Sequence, residues 1–71
     1  MNNTKLENSR IKTVELLKAS RNEQGISQAT LANLTGIGIA TIKRFESGRG
    51  WMNFKQITII CYHLNINSIK L

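Results

Sequence analysis

Residues 36–48 read GIGIATIKRFESG. Three chemistries use such residues at such spacings. Glycines two apart open loops that cradle phosphate on backbone N–H groups. Ile37, Ile39 and Thr41 alternate as a strand does. A helix with a slim start and cationic flanks fits a nucleic-acid groove. The first two readings break on particular positions. A dinucleotide loop wants glycine at 41 after a strand; the chain has Thr41 after a helical pattern, and no phosphate-loop lysine at the required distance. The alternation also ends at once, because the next apolar residues, Ile42 and Phe45, stand three apart.

A second candidate is Cys61-Tyr62-His63, where a thiol and an imidazole invite nucleophile-and-base chemistry. Cys61, however, shares a helical face with Ile57 and Leu64, and the sequence has neither a second histidine nor an oxyanion-forming loop. These are core and surface residues, and no catalytic residue is expected. One cysteine and one histidine also fall short of the common zinc sets and exclude an internal disulfide. We therefore expect no metal, no cofactor and no enzymatic activity, and a reducing, cytoplasmic setting.

Length and charge narrow what remains. A chain of 71 residues makes one domain that buries only roughly 60% of its unfolded surface, too little for a large catalytic cleft. Ten Lys+Arg against four Asp+Glu give a formal charge of +6 and a pI near 10.1. That excess points to a polyanion as partner. No apolar run reaches the length of a membrane span, and MNNTKLEN lacks a signal peptide's hydrophobic stretch, so no membrane partner is expected and the mature chain is expected to start where the sequence starts.

The positioning elements follow from the punctuation, which is glycine at 25, 36, 38, 48 and 50 with no proline. Before Gly25, the spacing of Ile11, Val14 and Leu17 predicts a one-sided helix. Thr4 and Glu7 have capping-box spacing, while Asn8 or Ser9 could cap as well. The expected division is a polar N-terminal arm over 1–8 and a domain over 9–71. Ser27 is a natural cap for a short helix offering Leu31 and Leu34, with Ile26 tucked into the core. Gly38 caps a helix over 39–47, and Asn53 caps another whose Ile57, Ile60, Cys61 and Leu64 keep helical spacing despite the β-branched ITIIC. Ile66 packs beneath its exit, and the closing NSIKL allows at most one further turn. The fold expected is an all-α bundle of short helices.

On a helical wheel at about 100° per residue, Ile42 and Phe45 define an inner face, while Ala40, Arg44 and Ser47 fall opposite with Lys43 at the flank. Such a helix can bring its first residues to base edges in the major groove. Arg44 can bond a guanine edge bidentately. Ile39 and Ala40 could lie against thymine methyls, or Ile39 could complete the core. Lys43 and Arg49 suit phosphates. Trp51 is expected to pack over the end of the last helix, with stacking on the sugar-phosphate backbone or pairing with a second subunit as the other uses of its ring.

GISQATLANLTGIGIATIKRFESG resembles the helix-turn-helix of the phage lambda repressor and Cro type regulators, the XRE family. The register is carried by Gly25-Ile26-Ser27-Gln28, Leu31-Ala32, Gly36, Thr41-Ile42 and Glu46-x-Gly48 over a similarity spanning residues 10–66. The resemblance implies a lambda-repressor-like bundle of four to five short helices, with the motif at about 28–47 and its second helix in the major groove. It implies a sequence-specific regulator, a repressor by family habit, acting as a homodimer on a two-fold double-stranded DNA operator in a bacterium or phage. Ser27 and Gln28 are implied phosphate contacts, and Arg21 an ion-pair partner for Glu46. The departures are Gly38 in place of a hydroxyl cap, GRGWMN in place of a proline-containing loop, and a nearly absent fifth helix. An antitoxin-type regulator that also binds a toxin protein is the alternative within the family. An RNA-binding or protein-interaction module is the rival outside it, although the four aromatic residues are scattered and form no stacking platform.

Overall fold

Gly25, Gly36 and Gly48 all take positive φ, and each stands just beyond a helix. The computed structural model describes residues 4–67 as α1 (Thr4–Glu23), α2 (Gln28–Thr35), α3 (Ile39–Glu46) and α4 (Phe54–His63), with no strand among the described residues. This is the expected all-α bundle, and ITIIC lies inside α4. Of the segment expected as a polar arm, residues 4–8 form the first turns of α1, so the helix starts ahead of Asn8 and Ser9 and takes in Thr4 itself. Residues 1–3 of that arm and most of the closing NSIKL lie outside the described residues.

Three helix starts share one device. Ser27 accepts the Thr30 N–H on its side chain, and Asn53 with Gln56 forms a reciprocal capping box. Gly38 offers no side-chain bond. In front of each cap stands an apolar residue, Ile26, Ile37 or Met52, and four residues after it another, Leu31, Ile42 or Ile57. All six belong to the core or pack against it. This is hydrophobic-staple spacing, which fixes the angle at which the chain enters each helix. The core is thus Leu17, Leu31, Ile37, Ile42, Phe45, Met52, Ile60 and Leu64. Ile37 and Met52, both in connections, are as much a part of it as the helical residues.

Two expected core positions face out. Ile11 is 54% exposed and Leu34 49% exposed. The buried stripe of α1 runs instead through Thr13, Leu17 and Arg21. Thr13 tolerates this because its Oγ1 donates to the Ser9 carbonyl at 2.9 Å, so no buried hydroxyl is left unbonded. Arg21 is turned inward by its partners, described below. Gln24 Nε2 also donates to the Leu64 carbonyl at 2.8 Å, tying the exit of α1 to that of α4.

Trp51 does not cover α4. Its ring lies 5.4 Å from that of Phe45, tilted by 50°, and the Arg10 guanidinium stands 5.2 Å from its centroid. The loop over 47–53 therefore folds back between α1 and α3. The Arg49 N–H reaches the Arg44 carbonyl at 2.9 Å and the Gly48 N–H reaches that of Phe45 at 3.1 Å, which closes α3 in a Schellman turn.

Candidate nucleic-acid interface

Gly36 ends α2 at φ +75° with its N–H on the Ala32 carbonyl, and two residues later Gly38 opens α3. A turn this short sets the two helices at a steep angle with Ala32 partly buried at their contact. On α3, Ile42, Phe45 and Glu46 are buried. Ile39, Ala40, Lys43 and Arg44 are exposed, so the four side chains expected to meet DNA share the outward side. Ile39 is 39% exposed, which places it at the solvent edge rather than in the core. It lines a shallow notch with Ala29, Ala32 and Asn33 of α2. Arg44 lies against the returning loop, where a Cβ added at Gly50 would stand 3.5 Å from Arg44 Cβ. Arg49 is exposed in that same loop.

At the start of α2, the Ser27 Oγ accepts from Thr30 N at 3.0 Å and donates to Thr30 Oγ1 at 2.9 Å. The hydroxyl proton is thereby committed. What Ser27 leaves open to an anion is the helix start, whose first N–H groups have no intrahelical acceptor. Gln28 Nε2 donates to Glu46 Oε1 at 3.0 Å. An amide NH₂ carries two hydrogens, so this bond orients the side chain and leaves one donor over.

Glu46 is the hub of the site. Arg21 Nε donates to its Oε2 and Arg21 Nη2 to its Oε1, each at 2.7 Å, while Arg21 Nη1 donates to the Ile26 carbonyl at 2.7 Å. The fork links α1, α2 and α3 through one carboxylate, and both side chains are below 10% exposed. Every buried side-chain nitrogen and oxygen among the described residues has a partner. Burial pushes the Glu46 carboxyl up, but the hydrogen bonds from Arg21 and Gln28 and the nearby positive charge outweigh it. The group therefore rests below the ordinary glutamate value. The bond to Glu46 likewise raises Arg21 against the opposing effect of burial.

The electrostatic result is one-sided. From residue 24 onward Glu46 is the only acidic side chain of the sequence, and it is neutralised inside the fold. Arg21 is the one cation held in an ion pair among the described residues. Lys43, Arg44 and Arg49 therefore present their charge without an opposing carboxylate.

A family model described as Helix-turn-helix matches residues 17–68, more than half of the chain. The chain belongs to the helix-turn-helix family, of the lambda repressor and Cro type. No curated protein and no solved structure matches it. As a helix-turn-helix protein of this type it is a DNA-binding regulator, and α2 and α3 are its motif helices. The matched span takes in both ends of the Arg21–Glu46 fork and leaves most of α1 outside. On α4, burial pushes the Cys61 thiol up, away from the thiolate that a nucleophile needs. His63 stacks edge-on with Tyr62, ring centroids 5.2 Å apart. No cluster of metal-ligating side chains is found among the described residues, and no helix among them is long and apolar enough to cross a membrane.

The residues that sequence reasoning missed are Gln28 as a partner of Glu46, Ile37 and Met52 as core, and Arg10 beside Trp51. The staple spacing was a usable signal for Ile37 and Met52. For Arg10 there was none, since it meets Trp51 across 41 positions of chain.

Proposed function

We propose that this chain is a sequence-specific transcriptional repressor that inserts α3 into the major groove of a two-fold operator. One observation carries this reading: the outward side of α3 and its following loop offers apolar, cationic and neutral polar side chains but no carboxylate, because the single nearby acid, Glu46, is buried against Arg21. Arg44, with five N–H donors in a planar fork, reads a guanine edge. Ile39 and Ala40, at the exposed tip, contact thymine methyls. Lys43 and Arg49 bind phosphates, and so do the start of α2 at Ser27 and the spare amide hydrogen of Gln28.

The homodimer belongs to the same proposal. We assign the second copy to the open side of α4, where Phe54 is 86% and Tyr62 78% exposed. Those two flank a cleft whose walls include Ile57, Cys61 and Ile66. Lys55 is the one formal charge on α4 with His63 neutral, so two copies, each at +6, repel least there. The deciding experiment is selection of bound duplexes from a random pool. A motif with two-fold symmetry is expected; a pool that enriches nothing overturns sequence-specific reading, and a motif without symmetry overturns the homodimer.

A further inference from the structure

Arg10 lies on α1, before the matched helix-turn-helix span, yet the fold brings it to the loop that follows α3. Its guanidinium stands over Trp51, 5.2 Å from the ring centroid. Beside it opens a cleft of about 370 Å³, walled by Arg10, Arg49 and Trp51, with Gly48 and Gly50 on the loop side and the apolar Ile11 and Val14 on the α1 side. No acidic residue lines this cleft. Glu7, one turn earlier on α1, forms no ion pair with Arg10, since the Arg21–Glu46 pair is the only one among the described residues. Trp51 is itself held by Phe45, a core residue of α3, so the platform under Arg10 is fixed to the reading helix. A stacked guanidinium uses its face and keeps its N–H edge free, with little rotamer freedom left to lose. Two cations, a rigid indole and two residues without side chains make a seat for a tetrahedral dianion or a diester phosphate.

We propose that Arg10, stacked on Trp51 beside Arg49, binds a backbone phosphate of the DNA, a contact made from α1 and outside the helix-turn-helix. This rests on the DNA-reading function proposed above and extends the protein's footprint past the end of α3. Trp51 acts as the positioning residue: its ring holds Arg10, and it borders a small notch with Arg44 and Thr41 of α3.

The test is the salt dependence of binding to a duplex of about two helical turns carrying the selected motif, or of random sequence if none is selected. Each neutralised phosphate contributes about 0.9 to the log–log slope. Arg10→Ala should make the slope shallower by about that amount while leaving the rank order of sequences intact. Lys12→Ala removes an α1 charge about 200° around the helix from Arg10, and should leave the slope unchanged. Trp51→Leu should reproduce the shallower slope in a chain that still has Arg10, because the guanidinium loses its platform, and Trp51→Phe should restore it. Circular dichroism and melting of each variant confirm that it is folded before binding is read. An unchanged slope in Arg10→Ala, or an equal change in Lys12→Ala, overturns the Arg10 site while DNA binding stands. Wild-type protein that binds no duplex at low salt overturns both.

Discussion

Arg44 and Glu46 sit two residues apart on α3 and have opposite duties, one outward and one inward. Truncating Arg44 to alanine should relax base preference at a single position by about 1–3 kcal/mol and leave stability near wild type. Competitive binding to single-base variants of the selected site measures this; an even loss across all variants would make Arg44 a phosphate contact instead. For Glu46 the readout is stability. Its folded carboxyl titrates below the ordinary value, so its contribution is fully present above the unfolded value of about 4.3 and is lost as pH falls through the folded one. Melting temperature should therefore drop as pH goes from about 5 toward 3. Glu46→Gln should melt lower at neutral pH, since a buried guanidinium without its counter-charge costs about 3–5 kcal/mol, and should lose less on acidification. An acid response identical to wild type would remove Glu46 from that role. Glu46 also marks a limit of reading residues in isolation. A carboxylate near phosphates makes sense only once Arg21, 25 positions away, is known to reach it. That pairing was suggested by family resemblance, and no local pattern contains it.

At the scale of elements, the two glycines of the turn should respond to substitution with opposite signs. A side-chain carbon added at Gly36 would meet nothing within 4 Å, yet the φ of +75° there strains any L residue. Gly36→Ala should cost about 1 kcal/mol despite the empty space. Gly38 has φ −60° and only the Thr41 hydroxyl at 3.9 Å. Gly38→Ser supplies the missing cap and stiffens the unfolded chain, so it should stabilise by about 0.5–1 kcal/mol. Urea unfolding of the two variants decides the matter; shifts in the same direction would contradict the backbone assigned to this turn. Helix existence and most caps were legible because Ser27, Asn53 and the glycines act over three or four residues. The rotation of α1 was not, because Thr13 and Arg21 outrank Ile11 in burial through bonds to Ser9 and Glu46 that a hydropathy pattern cannot register. The place of Trp51 was not legible either. A loop residue with a large ring settles where the tertiary fold leaves a surface, here between Phe45 and Arg10.

For the whole molecule, the open side of α4 predicts concentration-dependent assembly. Phe54→Glu should shift sedimentation toward monomer and weaken binding to a two-fold site far more than to a half-site. Sedimentation identical to wild type would reject this face, and a monomeric wild-type chain whose α4 is protected by another protein would favour the toxin-binding alternative. The overall class was legible early, since charge, length and helical punctuation agree on a small basic helical domain. The fork from Arg21 to Glu46 also shapes what the fold can inherit. The side chains that hold α3 in place, Ile42, Phe45 and Glu46, alternate with those that face out, Ile39, Ala40, Lys43 and Arg44, and the outward side chains share no hydrogen bond or ion pair with the rest of the described chain. Substitutions at the outward positions can therefore accumulate without unfolding the domain, and a new operator preference can be drafted onto the same frame. A peptide of the motif alone could not inherit that freedom, because the anchor of its second helix lies on α1.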